Sequence, residues 1–170
     1  MRNIELKARL TNLEKAREIA ASVATQRLGI EHQIDTYFAA PRGRLKLRQT
    51  NGLSSTLIAY SRSDTAAARP SDYQLVPVAH PETLKQALAA ALGIIGVVDK
   101  RREIYLVDNV RIHLDEVVGL GSFLEFEAVL APGQDEAQGY ERLATLQGAF
   151  GIDAATICTG SYRDLMLTDC

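Results

Sequence analysis

Charged side chains recur at every second position along this chain, and that spacing constrains its fold more than any other feature. Glu5 and Lys7 alternate with Ile4 and Leu6, and Arg44, Lys46 and Arg48 alternate with Leu45 and Leu47. Lys100 and Arg102 share one face. Arg111, His113 and Asp115 lie opposite Ile112 and Leu114, and Glu125 and Glu127 lie opposite Leu124, Phe126 and Ala128. A period of two is that of a pleated strand, which carries one apolar and one polar face.

The segments between these runs place them in order. Strands are expected at Arg2 to Leu10, Gln33 to Ala39, Arg44 to Gln49 and Ser55 to Arg62. Four more follow at Tyr73 to Val78, Val97 to Val107, Val110 to Asp115 and Ser122 to Leu130. Pro41-Arg-Gly43, Asn51-Gly52 and Asp108-Asn109 carry turn chemistry. Thr11-Asn-Leu-Glu14 reads as a capping box that opens a helix stopped by Gly29. Pro81 opens a second helix to Leu92 with Gly93 as its cap, and a third runs from Asp135 to Phe150, ending at Gly151. Asp64 to Ser71 reads as a flexible loop, and a short segment around Ser161 to Leu167 closes the chain. Strands joined by short turns make an antiparallel sheet, so the class is α+β, within one domain spanning residues 1–170.

The polar faces are unusual in being nearly uniform in sign. A solvated sheet face mixes Thr, Ser, Gln, Lys and Glu, whereas here one strand shows three cations and another two carboxylates. Like charges two residues apart repel, which gains nothing on an open surface. The arrangement becomes sensible if the sheet closes so that these faces point at a ligand. Cationic strands would bind a polyanion, and paired carboxylates would hold a divalent cation such as Mg²⁺, which takes hard oxygen ligands and bridges carboxylates to phosphates. A closed eight-stranded sheet leaves room inside for one small ligand.

Composition excludes several alternatives. The 170 residues carry 19 basic and 21 acidic side chains, a net charge of −2, which argues against a nucleic-acid binder with a wholly basic surface. The uncharged run Gln86 to Val98, which no other exceeds in length, is broken by Gly93 and Gly96 and is too short to span a membrane. The first residues turn charged at once, so no secretory leader is expected. Two cysteines, Cys158 and Cys170, make no disulfide framework, and a cytoplasmic location is expected. Arg outnumbers Lys by 14 to 5, a bias toward the rigid fork that grips phosphate oxygens in pairs.

Asn3-Ile-Glu5-Leu-Lys7 resembles the ExExK signature of the CYTH superfamily, the triphosphate tunnel metalloenzymes. Further landmarks stand in that family's order: Asp35-Thr-Tyr-Phe38, Arg42-Gly-Arg44-Leu-Lys46-Leu-Arg48, Tyr60-Ser-Arg62, Val98-Asp-Lys100-Arg-Arg102, Arg111-Ile-His-Leu-Asp115, Leu120 to Glu127, and Ser161-Tyr-Arg163-Asp164. The class IV adenylyl cyclase-like branch is the nearest in pattern. The resemblance implies a closed eight-stranded antiparallel β-barrel with helices outside it. Lys7, Arg44, Lys46, Arg48, Arg62, Lys100, Arg102, Arg111 and Arg163 would hold phosphates, and Glu5, Glu125 and Glu127 would hold Mg²⁺ or Mn²⁺. The implied partner is a small molecule bearing a triphosphate (ATP, tripolyphosphate or thiamine triphosphate), and a homodimer is left open. Asn3 departs from the signature, which expects Glu there, and removes one negative charge from the metal site.

Other candidates are weaker. His113, with Glu5, Lys7 and Asp115, belongs to the catalytic set, as a general acid or base or as a hydrogen-bonding lining residue. Asp115 is a metal ligand, a substrate-positioning acid or a turn residue. His32 and His80 fall at loop or helix edges, and Gly119-Leu-Gly121 is a turn. Three functions stay open at this level. They are cyclisation of ATP to cyclic AMP and pyrophosphate, hydrolysis of an inorganic, thiamine or nucleoside triphosphate, and non-catalytic binding of a polyphosphate or nucleotide.

Overall fold

In a computed structural model, which describes residues 1–168, eight strands close into a barrel. In chain order they are β1 (Arg2–Arg9), β2 (Gln26–Phe38), β3 (Arg44–Thr50), β4 (Ser54–Arg62), β5 (Arg69–Pro77), β6 (Ile94–Val107), β7 (Val110–Val117) and β8 (Gly121–Leu130). Around the barrel they run β1-β5-β4-β3-β2-β6-β7-β8, and every pairing is antiparallel. Four helices accompany them: α1 (Leu13–Val23), α2 (Pro81–Leu92), α3 (Glu136–Phe150) and α4 (Tyr162–Thr168). Among the described residues no helix is long and apolar enough to cross a membrane.

The period-two pattern decides which faces turn in. Ile4, Leu6 and Ala8 of β1, Ile112 and Leu114 of β7, and Leu124, Phe126 and Ala128 of β8 point outward and are buried. They pack beneath Ala16 and Ala20 of α1 and Leu143, Leu146 and Phe150 of α3. Burying each large side chain there stabilises the fold by roughly 1.5–3 kcal/mol. Gly139 makes the close approach of α3 possible, since a Cβ there would stand 2.8 Å from Ile4. With their apolar faces under the helices, these strands must turn their charged faces inward. A second apolar cluster of Tyr37, Val98, Val117, Phe123, Cys158 and Tyr162 packs inside the barrel.

Four local expectations are corrected. Helix α1 is capped by Asn12, whose Oδ1 accepts from the Lys15 amide at 2.9 Å, and Glu14 pairs with Arg17 instead of closing a capping box. The helix ends at Val23, not at Gly29, because Thr25 donates through both amide and hydroxyl to the Leu106 carbonyl and draws the chain onto β6. Gly29, at φ +119°, sits at a register shift within a strand that begins at Gln26. Within the expected Asp64–Ser71 loop, Arg69 and Ser71 pair with Glu5 and Asn3 of β1 and begin β5. The closing segment is the fourth helix.

Candidate active site

The barrel encloses a polar cavity of about 150 Å³. Lys7, Lys46, Arg48, Arg62, Lys100, Arg102 and Arg111 line it, against Glu5, Glu125 and Glu127. Seven basic and three acidic side chains leave a formal surplus of four positive charges on the wall, which Asp35 and Asp115 behind it reduce to two. Strand parity puts them there: each lies on the inward side of a strand whose other face is apolar or outside.

Two buried aspartates organise the cations. Asp35 of β2 is fully buried and accepts from Arg48 Nε at 2.7 Å and Nη2 at 2.8 Å, from Lys46 Nζ at 2.9 Å and from Lys100 Nζ at 3.2 Å. Burial alone would raise its carboxyl, but Arg48, Lys100 and Lys46 outweigh burial and hold it well below the usual range. Asp115 grips Arg102 through two bonds, at 2.7 and 2.6 Å, and also accepts from the Tyr162 hydroxyl at 2.6 Å. Burial opposes ionisation of Asp115 too, yet Arg102 brings it down to about 2. Such forks fix both guanidinium planes before any ligand arrives. Lys100 goes the other way: burial pushes its ammonium well below the ordinary lysine range despite Asp35, with Arg102, Arg48 and Lys46 adding repulsion.

The carboxylates gather elsewhere in the cavity. Glu5 stands directly across from Glu127 in the β1–β8 register, and Lys7 across from Glu125. Burial, then the Glu125 charge, raises Glu5, and burial followed by Glu125 raises Glu127, to which Glu5 also contributes. Glu125 is buried as well, but Lys7 and Arg102 overcome that and keep it well below the usual range. Arg102 Nη2 lies 2.9 Å from Glu125, and Lys7 Nζ lies 3.6 Å from it. Arg62 Nη1 stands 3.0 Å from Glu5, an ion pair without hydrogen-bond alignment. His113 is buried, and burial together with Arg102 keeps its imidazole neutral well below its ordinary range.

Residues 1–162 match the CYTH domain. This chain belongs to the CYTH domain family. No curated protein matches it. The CYTH barrel is similar to the PH1012 protein of Pyrococcus horikoshii, at 25% identity and a TM-score of 0.86 over 96% of this chain and 98% of that one. It is also similar to a candidate adenylate cyclase from Vibrio parahaemolyticus, at 20% identity and a TM-score of 0.79 over 97% of each. A third likeness is to HpAC1 from Hippeastrum, a candidate adenylyl cyclase with a dominant triphosphatase activity. The identity there is 14% and the TM-score 0.68, over 98% of this chain and 96% of that one.

The CYTH barrel brings most of the expected residues together, though not all. Arg44 and Arg163 line a neighbouring cavity of about 560 Å³, which shares Tyr37, Arg62 and Ser161 with the first. Arg44 pairs there with Asp64 at 2.6 Å and Asp164 at 3.1 Å, and Arg163 donates to the Ile95 carbonyl. Asp115 stands behind Arg102 and off the cavity wall. Exposed His32 pairs with Asp99 at 2.8 Å, and His80 occupies the N-cap position of α2. Cys158 is buried, with its Sγ 3.7 Å from the Thr156 carbonyl oxygen, and Cys170 lies outside the described residues.

Sequence reasoning missed Asp35 as the hub of three cations, although its inward parity with Gln33 and Tyr37 on β2 could have revealed it. Arg69 was also missed. It is buried, stands 3.6 Å from Glu5 and donates to the Cys158 carbonyl, and its Ala-rich surroundings show no alternation. Tyr162, whose ring lies 3.9 Å from Lys7 Nζ, enters from α4 with no strand pattern to announce it.

A divalent cation fits these residues. Glu5 stands opposite Glu127, with Arg62 and Arg69 facing the first and Arg111 the second, and buried Asn3 Oδ1 and His113 Nδ1 have no hydrogen-bond partner. One oxygen each of Glu125 and Glu127 lie within 4.8 Å of one another, and hard oxygen donors suit Mg²⁺ or Mn²⁺.

Proposed function

We propose that this protein is a divalent-metal-dependent enzyme acting on an organic triphosphate, and that its reaction is cyclisation of ATP to cyclic AMP and pyrophosphate. The observation that carries the triphosphate is the set of seven cations lining the tunnel, which outnumber Glu5, Glu125, Glu127, Asp35 and Asp115 together by two. Cleaving a phosphoanhydride bond needs positioning and charge neutralisation more than covalent help. Arg48 and Arg102, locked by Asp35 and Asp115, meet phosphate oxygens with little reorganisation. Lys7, Lys46, Arg62 and Lys100 add charge around the chain of phosphates, and Arg111 does so from a half-exposed position.

Glu5, Glu125 and Glu127 would hold Mg²⁺ or Mn²⁺, which supplies further neutralisation of the phosphate oxygens. Glu5 and Glu127, both raised by burial and by Glu125, are better tuned than Glu125 to take a proton from an attacking hydroxyl, and Glu5 is assigned that role. The adjoining cavity supports an organic triphosphate, since Tyr37, Phe38, Leu45 and Ile95 give it apolar wall beside the tunnel. That space suits a nucleoside.

Hydrolysis is the second reading, because the same cations would serve an attacking water equally well. The Hippeastrum protein, a candidate adenylyl cyclase, has a dominant triphosphatase activity. The deciding experiment is product analysis on ATP, thiamine triphosphate and tripolyphosphate with Mg²⁺ and with Mn²⁺. Cyclic AMP with pyrophosphate supports the proposal, whereas ADP with orthophosphate replaces it with a triphosphatase. No product from any of the three would leave a binding module.

A further inference from the structure

The donor atoms nearest one another in the tunnel are not three carboxylates. One ring nitrogen of His113 and one oxygen each of Glu125 and Glu127 all lie within 4.8 Å of one another. The register accounts for this, because His113 of β7 stands directly opposite Glu125 of β8, one pair along from Arg111 and Glu127. Side chains directly opposite and diagonal on one sheet face are within reach of a shared ligand. His113 is 4% exposed, and its Nδ1 is buried without a hydrogen-bond partner. A buried ring nitrogen left unpaired carries a desolvation cost that a bound cation would remove. Asn3, 4% exposed on the same wall with an equally unpaired Oδ1, offers a neutral oxygen and no charge.

We propose that His113 is a metal ligand, so that the cation site is a mixed nitrogen–oxygen set of His113, Glu125 and Glu127, and that it therefore prefers Mn²⁺ or a later divalent metal to Mg²⁺. This rests on the reading of the tunnel as a triphosphate and metal site. An imidazole donor favours the transition metals, whose affinity for a given site rises from Mn²⁺ through Co²⁺ and Ni²⁺, while Mg²⁺ selects oxygen alone. A neutral ring in place of another carboxylate also limits the negative charge facing an anionic substrate.

The test is pulsed electron paramagnetic resonance on the intact chain with substoichiometric Mn²⁺, alone and with tripolyphosphate. The expected result is a ¹⁴N modulation that changes to the ¹⁵N pattern when the protein carries ¹⁵N-histidine. The chain has only three histidines, and His32 and His80 are exposed and away from Glu125 and Glu127, so the labelled wild-type protein needs no variant. His113→Gln should abolish the modulation and lower Mn²⁺ affinity by about 10- to 100-fold, the loss seen even when contacts supporting a metal ligand are removed. Mg²⁺ affinity should fall less. Bound Mn²⁺ without nitrogen coupling, or with coupling that ignores the label, overturns the His113 assignment and leaves the triphosphate reading intact. Failure of both Mn²⁺ and tripolyphosphate to bind overturns both together.

Discussion

Replacing Asp35 with Asn would test the organisation of the tunnel most directly. Asn keeps the size of the side chain but exchanges one acceptor oxygen for an NH₂ group that must face donors. Four hydrogen bonds from Arg48, Lys46 and Lys100 converge on this fully buried carboxylate, so three cations lose their common counter-charge at once. Breaking a buried ion pair from one side costs about 3–5 kcal/mol. At about 2–4 °C per kcal/mol for a chain of this length, the melting temperature should fall by roughly 6–20 °C. Lys100, already pushed down by burial and by its cationic neighbours, loses the carboxylate that most opposes that trend. Tripolyphosphate should then act as a replacement counter-ion. In the wild-type protein, ligand at one hundred times its dissociation constant adds about 2.7 kcal/mol, and Asp35→Asn should gain more than the wild type at saturation. Thermal and chemical denaturation with and without tripolyphosphate measure both quantities. An unchanged melting temperature would refute Asp35 as the hub. A destabilised variant that gained no more from tripolyphosphate than the wild type would show that these cations do not face the phosphates.

Arg102→Ala should destabilise the chain by about 3–5 kcal/mol because it strands Asp115 in the interior, whereas Arg111→Ala, 44% exposed at its side chain, should weaken tripolyphosphate binding with little change in melting. Equal melting shifts for the two would contradict the assigned burial. Glu127→Gln should abolish metal-dependent turnover while leaving the metal-free protein as stable or more so, since burial, Glu125 and Glu5 already disfavour its charge; wild-type turnover in that variant would remove the carboxylate from the metal site. Asp115 falls from an ordinary 3.8 to about 2 on folding, so its contribution is complete above pH 3.8 and is lost as pH drops toward 2. Chemical denaturation across that window should show a steeper acid loss in the wild type than in Asp115→Asn, and parallel curves would sink the linkage.

The sequence alone determined the faces. Alternation along β1, β3, β7 and β8 assigns Glu5, Lys7, Lys46, Arg48, Glu125 and Glu127 to one side of their strands, because a strand's geometry is local and its period is two. It also located most turns, where Asn51-Gly52, Asp108-Asn109 and Gly93 take backbone conformations set by neighbouring residues. What it could not contain was which inward residues meet. Asp35 became the anchor of three cations only because β2 lies between β3 and β6, a pairing that joins residues 11 to 65 positions apart. The start of β2 was misread as helix because its first residues lack alternation and are held by Thr25 on Leu106 and by long-range pairing with β6. Arg44 and Arg163 share the chemistry of the tunnel cations but belong to a second cavity, because Asp64 and Asp164 hold Arg44 there and the Ile95 carbonyl accepts from Arg163. His113 beside Glu125 and Glu127 is a nearer case: local pattern gives each donor its direction, and the β7–β8 pairing register brings the donors within reach of one ion.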